Sequence, residues 1–396
     1  MINIQDKSKC CGCRACSEVC PKNIIYFRQD DEGFAYPEVD KENCIDCGLC
    51  NKVCPFENTN TKQCFNDPRV YATYDNANRS GSSSGGIFYA LAKYVIEVKG
   101  GWVYGAAFED HFQLRHIGVD SVKDLERLRG SKYVQSDTNH CFSSIKKLLD
   151  KGTFVMFCGT PCQVAGLKGY LHKLYNNLLL ADLVCHGVPP QSLFDQHVRY
   201  MERKYHSELV AYHFRKNDGW GGCEICDFAN NKHIEVDGYD MSPYLHSFME
   251  SFTYRESCYQ CPFAKVPRQG DITLADFWGV NLFFPKMDFK KGVSMVLMNT
   301  KLGLEIWEKI ENQLVCEMSN LKDGAAYNPN LLKSSIRPKE RDIVFRKLEE
   351  KGYDYMVTHD FRVKGYCKRR LLAIARNNEY IRKLHSFIKH ILKRIK

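Results

Sequence analysis

The chain has 396 residues, of which 44% are hydrophobic and 26% charged, so its composition is that of a globular protein long enough for two or more domains. No apolar run approaches the length of a membrane span, and the first ten residues lack the apolar segment of a secretory signal, so we expect a cytoplasmic protein. Twenty cysteines in a chain of this size favour metal or redox chemistry over disulfides.

Two cysteine runs dominate the first 60 residues, at 10–21 and 44–55, and each reads C-x-x-C-x-x-C-x-x-x-C-P. In the two-cluster ferredoxin pattern, three cysteines of a run hold one 4Fe-4S cluster and the fourth holds the other cluster. We therefore predict cluster one on Cys10, Cys13, Cys16 and Cys54, and cluster two on Cys44, Cys47, Cys50 and Cys20. Cys11 is predicted to be a bystander. Two zinc knuckles are the alternative, but zinc does not explain two identical runs that each close with proline.

A serine- and glycine-rich segment, RSGSSSGGIF at 79–88, follows a polar linker that ends near Pro68. It leads into an apolar stretch of helical period, and small residues at a helix N-terminus let a phosphate or a planar ring approach the unpaired amides. The candidate residues for an anionic cofactor are Ser82, Ser83, Ser84, Gly85 and Gly86. Taken alone, the segment is more typical of a loop with a serine N-cap.

The chain beyond residue 68 alternates strand-like runs with helical ones. WVYGAAF, LRHIGV, TFVMFCG and LLLADLV read as strands. Strands followed by tight turns and helices predict an α+β or α/β fold, in which ligands bind at the strand ends. We place a small ferredoxin-like domain at 1–61, a larger mixed α/β domain at 68–345 with parts 68–150 and 151–345, and a basic helical extension at 346–396.

A second set of cysteines lies at turns of the α/β domain. CGTPCQ at 158–163 and CHGVPP at 185–190 follow strand-like runs, and SCYQCP at 257–262 adds a C-x-x-C pair. The spacing predicts a third 4Fe-4S cluster on Cys162, Cys185, Cys258 and Cys261. Cys158 competes with Cys162 for this role, whereas Cys223 and Cys226 fit a plain strand better. The alternative is that several of these cysteines are buried small apolar residues.

Seven further motifs occur in order: SSSGGIF, GSKYVQS, FCGTPCQVAGLKGYL, ADLVCHGVPP, FRKNDGW, SCYQCPFAKVPRQGDITLADFWG and KGVSMVLMNT. They resemble the beta subunit family of coenzyme F-420 hydrogenases and dehydrogenases over about residues 68–345. With the ferredoxin part in front, the chain resembles the fused versions of that family.

The resemblance implies a flavoprotein that binds FAD beside a 4Fe-4S cluster and exchanges hydride with a deazaflavin or another organic substrate. It implies that segment 82–86 lies at the flavin-binding site, together with Lys132, Tyr133, Gln135, Thr160, Pro161, Gln163, His186 and Gly187. Lys132 would balance the charge of the cofactor, and Gln163 would hydrogen-bond its ring. His186 is the candidate catalytic proton donor, with a structural histidine as the alternative.

The basic charge of the chain belongs to its last residues. Residues 362–396 hold twelve Lys or Arg and one Glu, a net charge of +11 against +9 for the whole chain. Apolar residues keep helical spacing there, at Ile381, Leu384, Ile388, Leu392 and Ile395. A solvated helix that caps the domain is the first interpretation, and peripheral contact with the inner face of the membrane is the second. An acidic partner protein also fits the charge, whereas nucleic acid is not expected.

The leading hypothesis is an iron-sulfur flavoprotein oxidoreductase. It would pass electrons between ferredoxin, or a partner subunit, and a hydride-accepting organic molecule through FAD and 4Fe-4S clusters. The acceptor would be deazaflavin coenzyme F-420 or another reducible small molecule, such as a cell-envelope saccharide intermediate. Two alternatives stay open: a non-catalytic module that relays electrons to a partner enzyme, and a relative that keeps its clusters for structure alone.

Overall fold

The computed structural model describes residues 1–57, 63–216, 220–239 and 242–362. The basic amphipathic segment predicted near the C-terminus falls almost entirely at 363–396, outside the described residues. Within the described residues, no helix has both the length and the apolar character needed to cross a bilayer.

The N-terminal unit combines a hairpin with two short helices. Its elements are α1 (Ala15–Glu18), β1 (Ile25–Gln29), β2 (Ala35–Val39) and α2 (Leu49–Lys52). The strands pair antiparallel, with Ile25 opposite Val39. α1 and α2 each begin inside a cysteine run, after Arg14 and Gly48, whose φ angles of 60° and 71° turn the chain sharply.

The remaining described residues form eleven more strands and ten more helices. The strands are β3 (Arg69–Tyr74), β4 (Trp102–Phe108), β5 (Leu114–Val119), β6 (Val155–Gly159), β7 (Leu178–Leu183), β8 (Leu209–Arg215), β9 (Gly222–Phe228), β10 (His233–Asp237), β11 (Ile272–Asp276), β12 (Ser294–Met298) and β13 (Val315–Ser319). The helices are α3 (Ile87–Glu97), α4 (Val122–Leu125), α5 (Cys141–Asp150), α6 (Pro161–Leu171), α7 (Gln191–Tyr205), α8 (Pro243–Met249), α9 (Val280–Phe283), α10 (Lys301–Ile310), α11 (Leu321–Ala325) and α12 (Arg341–Thr358).

Eight strands form one mixed sheet in the order β13-β3-β12-β11-β7-β6-β4-β5. The strands β11, β7, β6 and β4 run parallel, and antiparallel strands flank them on both sides. Because the carboxyl ends of parallel strands meet at one edge, the turns after β6, β7 and β11 lie together. Strands from residues 68–150 and from 151–345 pair within this one sheet.

Helices cover both faces of the large sheet. On one face, α3 and α10 enclose a core that includes Val103, Met156 and Trp307. On the other face, α5 and α6 enclose Phe142 and Phe157. The β6 run VMFCG is buried at every position, as expected of a parallel strand that is covered on both sides.

A smaller antiparallel sheet, in the order β10-β9-β8, packs with α7, α8 and α12 around a second core. Cys223 and Cys226 are buried within its central strand β9, the plain strand that their spacing indicated. Cys223 and Cys226 therefore belong to a different sheet from the parallel strands β6 and β7, after which Cys162 and Cys185 lie.

The fold class predicted from the sequence is confirmed. The strand-like runs near residues 102, 114, 155 and 178 are the strands β4 to β7 of the large sheet. The helix predicted after the serine-rich segment is α3, and Ser121 caps α4 by accepting a hydrogen bond from the backbone N–H of Asp124 at 3.1 Å. Local periodicity and capping chemistry are sufficient to locate these elements.

Candidate iron-sulfur and cofactor site

The cysteines predicted to hold cluster one surround a single cavity. Its lining includes Cys10, Cys13, Cys16 and Cys54. Cys54 comes from the second cysteine run, so the fold brings together the crossed set that the spacing predicted.

The cysteines predicted for cluster two surround a second cavity, lined by Cys20, Cys44, Cys47 and Cys50. In each set, the four cysteines line one cavity. Within the described ranges, no three His, Cys, Asp or Glu side chains are placed to share a single metal ion.

The two cavities differ in their exposure. Cys10 and Cys13, at the first cavity, are buried. At the second cavity Cys47 is exposed, and its neighbour Ile45 keeps 57% of its surface accessible. Cluster two would therefore lie at the protein surface, and cluster one would lie inside the protein.

The N-terminal unit, residues 1–57 and hereafter the ferredoxin unit, packs closely on helix α6 through two glycines. A Cβ atom at Gly166 would lie 2.8 Å from the Sγ of Cys13, and one at Gly169 would lie 2.4 Å from the carbonyl oxygen of Val53. Since a methyl group cannot fit at either distance, glycine allows the helix and the ferredoxin unit to touch. The motif GLKG is therefore explained by docking of the two units.

Two side chains of the α/β domain hold the first cysteine run by its backbone. Gln135 Nε2 donates to the carbonyl of Cys11 at 3.0 Å, and Thr138 Oγ1 donates to the carbonyl of Cys13 at 2.9 Å. The resemblance assigned Gln135 to the cofactor, but its amide N–H is used at the interface with the ferredoxin unit. A role for Gln135 at a cofactor stays a prediction.

The four cysteines predicted for a third cluster come from separate elements. Cys162 lies in the first turn of α6, and Cys185 follows β7. Cys258 lies in a short 3-10 helix, Glu256–Gln260, which Cys261 follows directly.

Electrostatic coupling indicates that these four thiols are neighbours. Burial, followed by the nearby thiols of Cys162 and Cys261, raises the pKa of Cys185 to about 12. Burial also raises the pKa of Cys258, and Cys185, Cys261 and Cys162 add to the effect. The competing Cys158 has another neighbourhood, because burial and then Asp182 raise its pKa to about 12. The structure thus brings Cys162, and not Cys158, to the other three.

Cys11 lies between two of the cysteine sets. The thiols of Cys13 and Cys162 are the two largest influences on the pKa of the Cys11 thiol, so both lie beside it. Cys13 belongs to the predicted cluster one and Cys162 to the predicted third cluster. The sites for these two clusters are therefore adjacent, with the side chain of Cys11 between them.

The serine- and glycine-rich segment folds over the start of α3. Helix α3 begins at Ile87 after Gly86, which has a φ of 86° and no capping side chain. Ser83 Oγ accepts a hydrogen bond from the backbone N–H of Ser131 at 2.6 Å. Ser84 Oγ is buried and has no hydrogen-bond partner within the described part of the chain. The segment is a loop, as the alternative interpretation held, but no serine caps the N-terminus of the helix.

Other residues assigned by the resemblance already have protein partners. Lys132 Nζ donates to a ring of carbonyls, including that of Arg129 at 2.7 Å, and burial lowers the pKa of Lys132 to about 7. Gln163 Oε1 accepts from the backbone N–H of Thr160 at 3.0 Å, which completes a capping box in front of α6, with Pro161 as its first residue. Their proposed contacts with a cofactor stay predictions.

Comparison with known proteins identifies the larger domain. Residues 152–324 match the family described as the C terminus of the coenzyme F420 hydrogenase/dehydrogenase beta subunit. Over these residues the chain is similar to that beta subunit family. Residues 9–58 match the 4Fe-4S dicluster domain. The resemblance stated from the motifs is confirmed, and the chain is an iron-sulfur electron-transfer protein related to the F420 hydrogenase beta subunit.

Solved structures also contain chains that are similar to this one. A chain in the xenon-derivatised F420-reducing [NiFe] hydrogenase complex from Methanosarcina barkeri is 17% identical, over 73% of this chain and 89% of that chain, with a TM-score of 0.42. No curated protein matches this chain.

Two motifs of the beta subunit region, FRKNDGW and LADFWG, meet at the carboxyl edge of the sheet. Arg215 at the end of β8 forms an ion pair with Asp276 at the end of β11, and its Nε donates to the hydroxyl of Tyr133 at 2.9 Å. Trp220 donates to Asp276 at 2.9 Å, and its ring stacks on that of Trp278 with the centroids 4.7 Å apart. Among the described residues, Nη1 of Arg215 has no partner. Sequence reasoning used these motifs for the resemblance alone and missed this cluster.

His186 and Gly187 of the beta subunit region lie beside the same cluster. Burial lowers the pKa of His186, with Asp276 opposing the effect and Arg215 adding to it. The neutral imidazole is therefore favoured at neutral pH, so His186 must take up a proton before it can donate one. A Cβ at Gly187 would lie 2.2 Å from the ring of Tyr254, so packing explains this glycine.

A buried ion pair fixes the loop that carries Cys258 and Cys261 to the sheet. Arg268 and Asp182 are fully buried and lie 3.2 Å apart. Asp182 also accepts from Thr273 Oγ1 at 2.6 Å and from the backbone N–H groups of Gln269 and Gly270. Such a pair is stable only when its hydrogen bonds are complete, as they are here. Because Asp182 precedes Cys185 by three residues, the ion pair joins two of the segments that carry the cysteine quartet, the four cysteines predicted for the third cluster.

Proposed function

We propose that this chain is an iron-sulfur flavoprotein oxidoreductase that passes electrons between ferredoxin, or a partner subunit, and a hydride-accepting organic molecule through FAD. The observation that carries the proposal is the series of cysteine sets. It runs from the exposed cavity at Cys47, past the buried cavity at Cys10, to the quartet at the strand ends. Strand ends are where α/β proteins bind ligands, so such a relay would end beside an acceptor.

Several polar groups near the strand ends support a place for FAD. Within the described residues, Ser84 Oγ and Nη1 of Arg215 are buried without a partner, a state that costs about 1–3 kcal/mol for each group until a ligand supplies one. A Cβ at Gly292 would lie 2.9 Å from Ser84 and 3.2 Å from Trp220, so the serine segment and the Arg215 cluster are neighbours. The uncapped N-terminus of α3 favours a phosphate.

The residues of the chain would divide the work by their chemistry. Residues 82–86 would hold the phosphates, and the buried guanidinium of Arg215 would hold an anionic or carbonyl oxygen. His186, beside that guanidinium, would take up and return a proton. When bound, FAD supplies the link between two-electron hydride chemistry and the one-electron chemistry of iron-sulfur clusters.

The acceptor that we propose is a molecule with a ring. The stacked indoles of Trp220 and Trp278 offer a flat apolar surface beside the Arg215–Asp276 pair. This surface suits deazaflavin coenzyme F-420, and it also suits the sugar ring of a cell-envelope saccharide intermediate. The alternative function is a relay that delivers electrons to a partner enzyme.

The test is anaerobic purification followed by iron, acid-labile sulfide and flavin quantification on one sample. We expect about twelve iron atoms and one FAD per chain. About eight iron atoms and no flavin after full reconstitution would contradict both the third cluster and the flavin site. Turnover of coenzyme F-420 by the isolated chain with reduced ferredoxin would support the enzyme, whereas strict dependence on a further protein would favour the relay.

A further inference from the structure

We propose that Arg255 sets the reduction potential of cluster one and thereby directs electrons inward from cluster two. This inference rests on the proposed function for the presence of the clusters. It adds a residue of the α/β domain that tunes a cluster of the ferredoxin unit.

Arg255 connects two of the cysteine sets. It directly precedes the 3-10 helix that contains Cys258, and its side chain is fully buried. Its Nε donates to the carbonyl of Cys10 at 2.6 Å, and its Nη2 lies 3.5 Å from the Sγ of Cys10. The same guanidinium donates to the carbonyl of Ala35 at 3.0 Å and to Gln135 Oε1 at 3.3 Å.

The guanidinium of Arg255 has no carboxylate partner among the described residues. The groups that it contacts are the carbonyls of Cys10 and Ala35, the Sγ of Cys10 and the Oε1 of Gln135. A buried guanidinium without a counter-ion would be strongly unfavourable. An anionic cluster on Cys10, Cys13, Cys16 and Cys54 would be the counter-ion that this position lacks.

A cation held against a ligand sulfur stabilises the extra negative charge of a reduced cluster and so raises its potential. The cavity of cluster two has no comparable buried cation among the described residues. The N-terminal amine near it is exposed and lies 3.1 Å from Asp46, so water and that carboxylate weaken its effect. Cluster one is therefore expected at the higher potential of the two.

The chemistry that the clusters would supply is transfer of one electron at a time. A cluster held by Cys20, Cys44, Cys47 and Cys50 would give up the electron that a cluster held by Cys10, Cys13, Cys16 and Cys54 accepts, with no bond or proton changed. A low-potential ferredoxin-type donor would supply the electron, and the proposed third cluster and flavin would receive it.

The experiment is a redox titration of the anaerobically purified full chain, followed by electron paramagnetic resonance, for wild type, Arg255→Gln and Arg341→Gln. Arg341 is the matched control. It is also buried at the interface, where it forms a bidentate pair with Glu32 at 2.7 Å, but it donates to no cysteine sulfur of the described residues. We expect one centre of Arg255→Gln to shift to a more negative potential, and all centres of Arg341→Gln to keep theirs.

Unchanged potentials in Arg255→Gln at full iron content would overturn the proposal, as would an equal shift in Arg341→Gln. If Arg255→Gln loses iron, Arg255→Met decides, because it also removes the charge and keeps a long unbranched side chain. A negative shift in that variant at full iron content supports the proposal, and no shift overturns it. Flavin is quantified on the same samples, so a missing flavin would count against the proposed function while the shift still tests Arg255.

Discussion

Gly12 is where the ferredoxin unit comes closest to the guanidinium of Arg255. Its φ of 70° almost equals the 71° of Gly48, which follows a ligand cysteine in the other run. The surroundings differ, because a Cβ at Gly12 would lie 2.8 Å from Gln135 Nε2 and 3.2 Å from Nη1 of Arg255, whereas a Cβ at Gly48 would meet nothing within 4 Å. A substitution at either glycine therefore carries the same backbone strain, and only the one at Gly12 also disturbs the contact with the α/β domain.

We predict that Gly12→Ala is more destabilising than Gly48→Ala. Both variants carry a left-handed backbone cost of about 1–2 kcal/mol. Gly12→Ala adds an overpacking cost of about 1–3 kcal/mol because two side chains of the α/β domain must move. Anaerobic denaturant unfolding, with iron content as the check on the clusters, measures the difference. Equal losses in the two variants would contradict the docking role.

His116 is a second residue whose surroundings have a measurable effect, in this case on how stability depends on pH. It is buried, and its ring nitrogens lie 3.1 Å from the carbonyl of Cys158 and 3.0 Å from Ser136 Oγ. Gln163 donates to Ser136 Oγ, so the serine hydroxyl is free to donate to Nδ1 and the histidine donates from Nε2. Burial lowers the pKa of His116 to about 4.

We predict that His116 makes the protein less stable in mild acid. Between pH 7 and pH 5 the unfolded histidine gains a proton and the folded one does not, so the free energy of unfolding falls by about 2 kcal/mol. His116→Gln removes the titrating group and should flatten this part of the profile. Urea unfolding at pH 5, 6 and 7 compares the two proteins, and parallel profiles would show that His116 does not carry the effect.

At the scale of single elements, helix α6 joins several roles. Its first turn carries Cys162, and one of its faces receives Cys13 and Val53 of the ferredoxin unit at Gly166 and Gly169. Any movement of this helix would therefore change the distance between two cysteine sets.

We predict that Gly169→Ala loosens the ferredoxin unit. Alanine is better than glycine in a helix by about 0.5–1 kcal/mol, but its methyl would meet the Val53 carbonyl and cost about 1–3 kcal/mol. Gly105→Ala is the control, because the nearest atom to its new Cβ is at 3.5 Å, an ordinary contact. Faster limited proteolysis between the two units in Gly169→Ala alone is the expected result. Equal cleavage in both variants would mean that α6 tolerates the methyl group.

Sequence reasoning locates elements and cysteine sets better than it locates their contacts. Periodicity gives β4 to β7 and α3, and spacing groups Cys10 with Cys54, because these signals lie within short windows. The antiparallel strands beside β11 and the pairing of Arg215 with Asp276 depend on contacts between distant segments, so no local pattern contains them. Cys11 illustrates the same limit, because its place beside Cys162 exists only in the folded chain.

At the scale of the whole molecule, the two ends of the cysteine series face different surroundings. One end is exposed near Ile45 and Cys47, and the other is buried at the strand ends. A donor protein would therefore meet the chain at the Ile45 surface, while the acceptor would bind at the strand ends of the α/β domain.

We predict that Ile45→Glu slows reduction of the chain by an external ferredoxin. A charge placed at the rim of a docking surface changes the association rate, and ferredoxin-type donors that are acidic would be repelled. Val210→Glu is the control, because Val210 on β8 has the same 57% exposure. Stopped-flow reduction at low salt should show a several-fold slower second-order rate for Ile45→Glu alone. Equal rates in the two variants would place the docking surface elsewhere.

The close packing of the ferredoxin unit on α6 has a kinetic consequence. Since both units belong to one polypeptide, the concentration of one at the surface of the other is fixed by the fold and does not fall on dilution. Exchange with an external donor is bimolecular and slows as the donor becomes scarce. A cell with little donor would therefore load electrons onto each molecule more slowly, and each electron once loaded would reach the strand ends at an unchanged rate.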